Sequence, residues 1–476
     1  MQTLQRETPF NRPIRFLQFG EGNFLRAFVD WQIDLLNERT GLNAGVVIVR
    51  PRGNPSLPLL DVQGGVFTTL IRGLDESGHP VKTYRKIECV EREIDLGQNY
   101  AQYLALAANP DLRFVVSNTT EAGIATNETD RFDDAPPSTF PAKLTRFLFE
   151  RFTRFAGAAD KGLVLLPCEL IDYNGDALRA AVLHFAAMWQ LGERFEAWLN
   201  GACTFCSTLV DRIVTGYPQA EMAQIEEELG YRDQFLVTAE YFYLFVIQGP
   251  QWLAKELKLD GAGLNIRLVD DITPYKQRKV GVLNGGHTVL VPVALLAGQQ
   301  EVGEAVADPV VGPFLLDVLN EEIIPALPLE RAELDPFAAD VLRRFRNPYI
   351  HHRLESIALN SWSKYAARVL PQLLQYQRST GKLPRHLLIA LAATMVLYRG
   401  KLFKLSDDPA WLAWFDSAWA RVDAGQWSVQ QMATEWLGNI ALWGQDLNGV
   451  AGLTAGLGEI LAEIESQGIA ALISRS

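Results

Sequence analysis

The sequence predicts an α/β fold: a Rossmann-type doubly wound N-terminal domain, then a mostly α-helical C-terminal domain. Three observations carry this. Short apolar runs alternate with helical patterns through the first half of the chain, as in a parallel sheet with crossover helices. A glycine turn, Gly20-Glu21-Gly22, joins the first strand pattern to the first helix pattern. Beyond about residue 272 strand signals nearly vanish and long helical patterns dominate.

In order, Ile14–Phe19 reads as a strand and residues 23–37 as a helix whose stripe is Phe24, Ala27, Phe28, Trp31 and Leu35. Residues 45–49 form a second strand pattern, and 66–72 and 83–90 pair as a hairpin. Residues 113–117 and 162–167 are compact apolar runs bounded by breakers, which is how strands buried on both faces read. Between them, residues 141–155 place Leu144, Phe147, Leu148, Phe152 and Phe155 on one helical face. The scatter Arg146, Arg151, Arg154 and Lys161 reads as a solvated face. Helical patterns then cover 279–296, 354–376, 387–398, 409–424 and 429–442. The domains are therefore expected at 1–272 and 273–476, with the loop chemistry of VDDITP at the boundary and a ligand cleft between them.

The formal net charge of −12 argues against a nucleic-acid or membrane-surface partner, either of which wants a basic face. No run reaches the roughly 18 apolar residues of a membrane span, the best being 387–398. MQTLQRETPFNRPIRF lacks an apolar leader, and four cysteines in 476 residues make no disulfide framework, so a cytoplasmic protein is expected. Cys203-x-x-Cys206 stands alone, without the second pair or histidines of a zinc site, and no metal is expected.

Strand, Gly-x-Gly, helix is the context of a dinucleotide fingerprint. Gly20 would allow the tight turn, and Gly22 the approach of a pyrophosphate to the helix N-terminus. Leu25 replaces the third glycine, so an ordinary β-α turn fits as well. The second strand ends in Arg50-Pro51-Arg52, where an acidic residue would meet an adenosine ribose; arginine there would suit a 2′-phosphate. Asn118 and Glu121 have the spacing of a capping box, and Asn118 and Thr119 follow a strand that would border a cofactor.

The stretch YKQRKVGVLNGGHTVLVPVALLAG opens the helical domain. At about 100° per residue, Asn284 stands about 140° and His287 about 80° from Lys279, so the three share one broad polar face. Gly281, Gly285 and Gly286 interrupt the helix at about 1 kcal/mol each. Close approach of a ligand or another backbone is the usual reason to keep them. Lysine can serve as acid/base, an asparagine amide can donate to a developing oxyanion, and histidine can orient either.

Taken together, GEGNFLRAF, CTFCSTLVDRI and KVGVLNGGH resemble the mannitol dehydrogenase family of long-chain, polyol-specific dehydrogenases. The family's turn is matched at Gly20, Gly22, Asn23, Phe24 and Arg26, its V-D-R-I signature at Val210 to Ile213, and its catalytic K-x4-N-x2-H by Lys279, Asn284 and His287. The resemblance implies NAD as cofactor, bound through the turn with Arg50, Asn118 and Thr119 beside it, and a small-molecule substrate contacted by Asp211 and Lys364. The texture of PCELIDYNG and SIALNSWSKYAARVLP is most similar to members acting on a sugar acid. A sugar acid brings a carboxylate, for which Arg368, at i+4 from Lys364, offers a second cation. Glu240 matches a family glutamate expected at the cleft wall. One departure stands out: where the family has Cys-Asp-Asn, with asparagine a second oxyanion donor, this chain has Cys168-Glu169-Leu170. A nucleotide-sensing scaffold without turnover is the alternative from another class.

Overall fold

The first strand, Ile14–Phe19 (β1), lies at the middle of a six-stranded sheet because both of its faces are apolar: Phe16 faces one core and Leu17 and Phe19 the other. This is a computed structural model, and it describes residues 1–52, 56–120 and 122–475. The chain forms two compact units, Met1–Asp75 with Pro80–Ile272, and Glu76–His79 with Thr273–Ser476.

Further strands of the first unit are Gly45–Arg50 (β2), Phe67–Leu74 (β3), Pro80–Ile87 (β4), Val90–Asp95 (β5), Phe114–Ser117 (β6) and Val164–Pro167 (β7). They are followed by Thr204–Phe205 (β8), Ser207–Asp211 (β9), Val214–Gly216 (β10), Val237–Glu240 (β11), Leu244–Gln248 (β12) and Ile266–Val269 (β13). The main sheet has the order β5-β2-β1-β6-β7-β8, parallel throughout. That is the doubly wound order, with the switch point between β1 and β6. The expected hairpin exists as β3 and β4, paired antiparallel in a second sheet of order β10-β11-β3-β4. Val90, read as its end, instead opens β5 and joins the main sheet. A third sheet, β13-β12-β9, has no counterpart in the sequence reading.

Helices Phe140–Arg154, Asn174–Met188 and Glu193–Ala202 cover one face of the main sheet. The expected solvated arginine face needs correction at Arg151. Its side chain is fully buried, and its guanidinium donates to the carbonyls of Ala107, Asn109, Leu112 and Lys161 at 2.7–3.1 Å. Burial lowers its pKa to about 10.

The second unit is helical. The longest apolar helix is not 387–398 but Thr273–Leu296, whose 24 residues would suffice by length and composition to cross a bilayer. Most of it is buried, as a core helix is. The pattern at 354–376 resolves into Leu354–Ile357, Ser361–Arg368 and Leu370–Thr380. Asn360 at φ +53° breaks the first junction and Pro371 the second. Trp362, Tyr398, Phe415 and Trp436 pack as an aromatic core behind Ser361–Arg368, with ring centroids 4.6–5.2 Å apart.

Candidate active site

Gly20 follows β1 at φ +117°, a conformation only glycine takes freely, and its N–H donates to Val49 O at 2.9 Å. A Cβ there would meet Asn118 O at 3.2 Å, while a Cβ at Gly22 would meet nothing within 4 Å. The turn is thus tight at its first glycine and open at its second, which fits a pyrophosphate approaching the backbone at Gly22. The helix it feeds is not uniform. After Asn23–Leu25 comes a π-helical turn, Arg26–Asp30, before α-helix resumes at Trp31–Arg39. Phe24 stacks on Phe28 at 5.0 Å, and Phe28 meets Phe245 edge-on at 5.3 Å.

Several residues assigned to the cofactor hold the scaffold. The Arg26 guanidinium is buried and donates to the carbonyls of Glu21 and Phe235 and to Asn23 Oδ1. Arg50 is buried too, its Nε 2.8 Å from Glu93 Oε1 and its other nitrogens on Leu57 O and Pro58 O. A guanidinium so held is turned away from a 2′-phosphate, which corrects the strand-end reading. Asn118 Nδ2 donates to Cys168 O at 2.6 Å. The N–H and hydroxyl of Thr119 both donate to Glu169 Oε1 at 3.0 Å, and Ser117 donates to Oε2 at 3.1 Å. Burial raises the Glu169 carboxyl against these hydrogen bonds. No helix starts at Asn118, whose following residues are irregular, and Glu121 lies outside the described residues. Asn118, Thr120, Ala122 and Leu170 line a cavity of about 510 Å³ at this strand end.

Asp211 closes β9 and is buried. Next to it Arg212 donates to Glu240 O and Ala27 O and lies 4.3 Å over the Trp31 ring, its pKa lowered to about 10 by burial. Glu240 is not at a solvated wall: it is 2% exposed and accepts the Ile213 N–H at 2.5 Å. The V-D-R-I segment thus ties β9 and β11 to the cofactor helix.

In the second unit, Lys279–Gly285 is a second π-helical turn, and α-helix resumes at Gly286–Leu296. This corrects the α-helical angles above. With i→i+5 hydrogen bonding, Lys279 and Asn284 stand about one turn apart on one side of the helix rather than on its flanks. The glycines serve close packing: a Cβ on Gly281 would meet Leu327 Cδ2 at 2.9 Å, and one on Gly285 would meet Arg368 O at 3.5 Å.

His287 stacks on Phe345 at 4.1 Å and meets His352 edge-on at 5.1 Å. Its Nε2 is buried and has no protein partner. Burial pushes its pKa well below the usual value, and the charges of His352, Arg344, Arg368 and Lys364 add to this, so the imidazole is neutral. Lys364 and Arg368 stand on Ser361–Arg368; Lys364 Nζ donates to Ile357 O at 2.8 Å. Burial, then Arg368, lowers the Lys364 pKa, and burial lowers that of Arg368. Sequence reasoning missed Phe345, His352 and Arg344, which no motif marks. It also missed the grip of Glu169 on Thr119. Among the described residues no cluster of three or more His, Cys, Asp or Glu could hold a metal ion.

Comparison with known proteins returns matches along the whole chain. The mannitol dehydrogenase Rossmann domain matches residues 14–261 and the mannitol dehydrogenase C-terminal domain residues 271–465. A Yersinia enterocolitica protein named altronate oxidoreductase is 55% identical, covering 100% of this chain and 99% of its own. A Klebsiella pneumoniae protein of the same name is 56% identical over 96% of this chain and 95% of its own. The structure of Pseudomonas fluorescens mannitol 2-dehydrogenase, a ternary complex with NAD and D-mannitol, shares the fold at 20% identity and TM-score 0.69, covering 99% of this chain and 96% of its own. A substrate-free D-sorbitol dehydrogenase does so at 21% identity and TM-score 0.79, covering 99% and 100%.

Proposed function

Because the chain belongs to the mannitol dehydrogenase family, we propose that it is an NAD-dependent oxidoreductase interconverting D-tagaturonate and D-altronate. One observation carries the reading in the chain itself. The π-helical turn sets Lys279 and Asn284 on one side, beside a neutral His287 and the cations Lys364 and Arg368. That is a proton donor, an oxyanion donor and a carboxylate partner on neighbouring helices of one unit.

The bound nicotinamide supplies the hydride in reduction and accepts it in oxidation. Lys279 gives a proton to the alkoxide oxygen as the keto carbon is reduced, and takes it back in oxidation. The Asn284 amide donates to that oxygen as charge develops on it. His287, neutral and with an unpartnered Nε2, holds a substrate hydroxyl and turns the substrate towards Lys279. Lys364 and Arg368 hold the uronate carboxylate, which needs a cationic partner once partly desolvated. Gly20, Gly22, Asn23 and Phe24 bind the dinucleotide at the helix start, with Asn118 and Thr119 across the switch point. Arg26 and Arg50 act beneath them by fixing the turn. Asp211 contacts substrate at the end of β9. The inward Arg50 supports NAD over NADP.

The test is a substrate panel followed by NADH absorbance: tagaturonate, fructuronate and fructose, each with NADH and NADPH. Tagaturonate with NADH should give the highest kcat/KM. A higher value for fructuronate or fructose would move the assignment within the family. NADH binding without turnover of any of them would replace it with a sensing role.

A further inference from the structure

Beneath the glycine turn lies a carboxyl that the mechanism above does not use. Asp30 ends the π-helical turn Arg26–Asp30 and is fully buried. Gln18, in the middle of β1, is fully buried as well, and its amide nitrogen donates both to Gly20 O at 3.1 Å and to Asp30 Oδ2 at 3.3 Å. One side chain therefore bridges the carbonyl of the first turn glycine and the buried acid. The remaining oxygens of the pair, Gln18 Oε1 and Asp30 Oδ1, are both buried without a partner. Two orphaned acceptors in one pair lack a donor, and a proton on the carboxyl would supply it.

We propose that Gln18 and Asp30 form a proton-linked clamp on the cofactor turn: the carboxyl takes up a proton as the dinucleotide pyrophosphate docks. The proposal rests on the cofactor reading above. The physical reason is charge. A pyrophosphate brings two negative charges to the turn, and a buried carboxylate behind it would repel them with little solvent screening. The neutral acid removes the repulsion and donates within the pair, holding Gln18 and through it Gly20 O. The charged and titratable groups facing Asp30 are few. Arg26, on the same turn, favours the carboxylate; Asp34, one turn on, disfavours it; and the Cys89 thiol, from the loop before β5, donates to Asp30 O at 3.3 Å. Burial dominates and pushes the Asp30 carboxyl up to about 7, so a neighbouring anion shifts its protonation in the physiological range.

The test is calorimetry of NADH binding to the full-length protein at about pH 8, in phosphate and in Tris, whose ionisation enthalpies differ. The wild type should take up on the order of half a proton per NADH. Asp30→Asn keeps the shape of the neutral acid, with its amide able to donate to Gln18 Oε1. It should bind NADH with equal enthalpies in both buffers and with an affinity flat in pH, while wild-type affinity falls as pH rises through 7. Gln18→Leu, which cuts the bridge, should weaken NADH binding at every pH. If Asp30→Asn does not fold, the wild-type buffer and pH dependence decides. Tight NADH binding with equal wild-type enthalpies in the two buffers would overturn the clamp alone. Failure of NADH to bind at all would overturn the clamp and the cofactor reading together.

Discussion

The two π-helical turns, Arg26–Asp30 and Lys279–Gly285, are built alike and charged differently. Each follows or contains glycines, and each adds a residue to an otherwise α-helical run. Around the first, the cations are saturated by the protein itself: Arg26 on Glu21, Asn23 and Phe235, Arg50 on Glu93, Arg212 on Ala27 and Glu240. Around the second, His287 keeps a buried nitrogen without a partner, and three cations raise the positive potential about it. The first region uses charge to hold a shape; the second keeps charge for a ligand.

Five measurements break or sharpen this contrast, from the largest expected effect to the smallest. Lys279→Ala should lower kcat by roughly 10²–10⁴, the size of an acid/base contribution, with NADH binding retained. Turnover within about threefold of wild type, where chemistry limits the rate, removes Lys279 from the role.

Arg50→Ala strands Glu93 in the interior and should cost roughly 3–5 kcal/mol in denaturant unfolding, as breaking a buried ion pair does. The ratio of NADH to NADPH use should stay the same. A shift of that ratio without loss of stability would mean that Arg50 serves a ligand after all.

Lys364→Met should raise KM for the uronate by roughly 10–100-fold, the worth of a charge-assisted hydrogen bond. Fructose, if turned over, should suffer less. Equal losses would place Lys364 on a hydroxyl common to both substrates.

Two glycine substitutions form a matched pair. Gly281→Ala drives a methyl into Leu327 and should cost about 1–3 kcal/mol of stability. Gly22→Ala meets no protein atom and should leave stability unchanged while weakening NADH binding. Equal melting losses in the two would undo the distinction between packing glycine and cradle glycine.

The smallest effect is in pH. The folded pKa of His287 lies below its unfolded value, so between the two the unfolded chain binds more protons and stability rises with pH. Its contribution is complete above about pH 6.5 and is lost as pH falls through that value. His287→Asn should flatten that part of the melting profile, and wild-type kcat should show no histidine titration between about pH 6 and 8. A histidine step in kcat there would mean that His287 is charged in the working enzyme.

What the sequence revealed follows from what burial does to composition. β1, β2, β6 and β7 are covered on both faces and read as unbroken apolar runs. The third sheet escaped notice because its strands are short and mixed; Ile266–Val269 carries an exposed Arg267. The three motifs were legible by residue type and spacing. Their geometry was not, because a 3.6-residue period cannot show where a helix takes in one more residue. Arg151 was misread for a related reason: the spacing to Arg146 and Arg154 was visible, but the four carbonyls that draw it inward come from distant segments. Gln18 did leave a trace, one amide inside IRFLQF, and a polar residue in a doubly covered strand signals a partner.

A third π-helical turn, Val318–Ile323, packs its Leu319 and Ile323 against Gly286 and Gly285. Such a turn is an α-helix lengthened by one residue with the ends left in place. The catalytic helix therefore has a frame, much as a coding sequence does. Removing one glycine from Gly285-Gly286 would restore a regular helix, turning His287 and all that follows by about 100° relative to Lys279. Every catalytic side chain would still be present and the helix more regular, yet the constellation would be gone. Substitution is graded at this site, whereas a single-residue deletion is all or nothing.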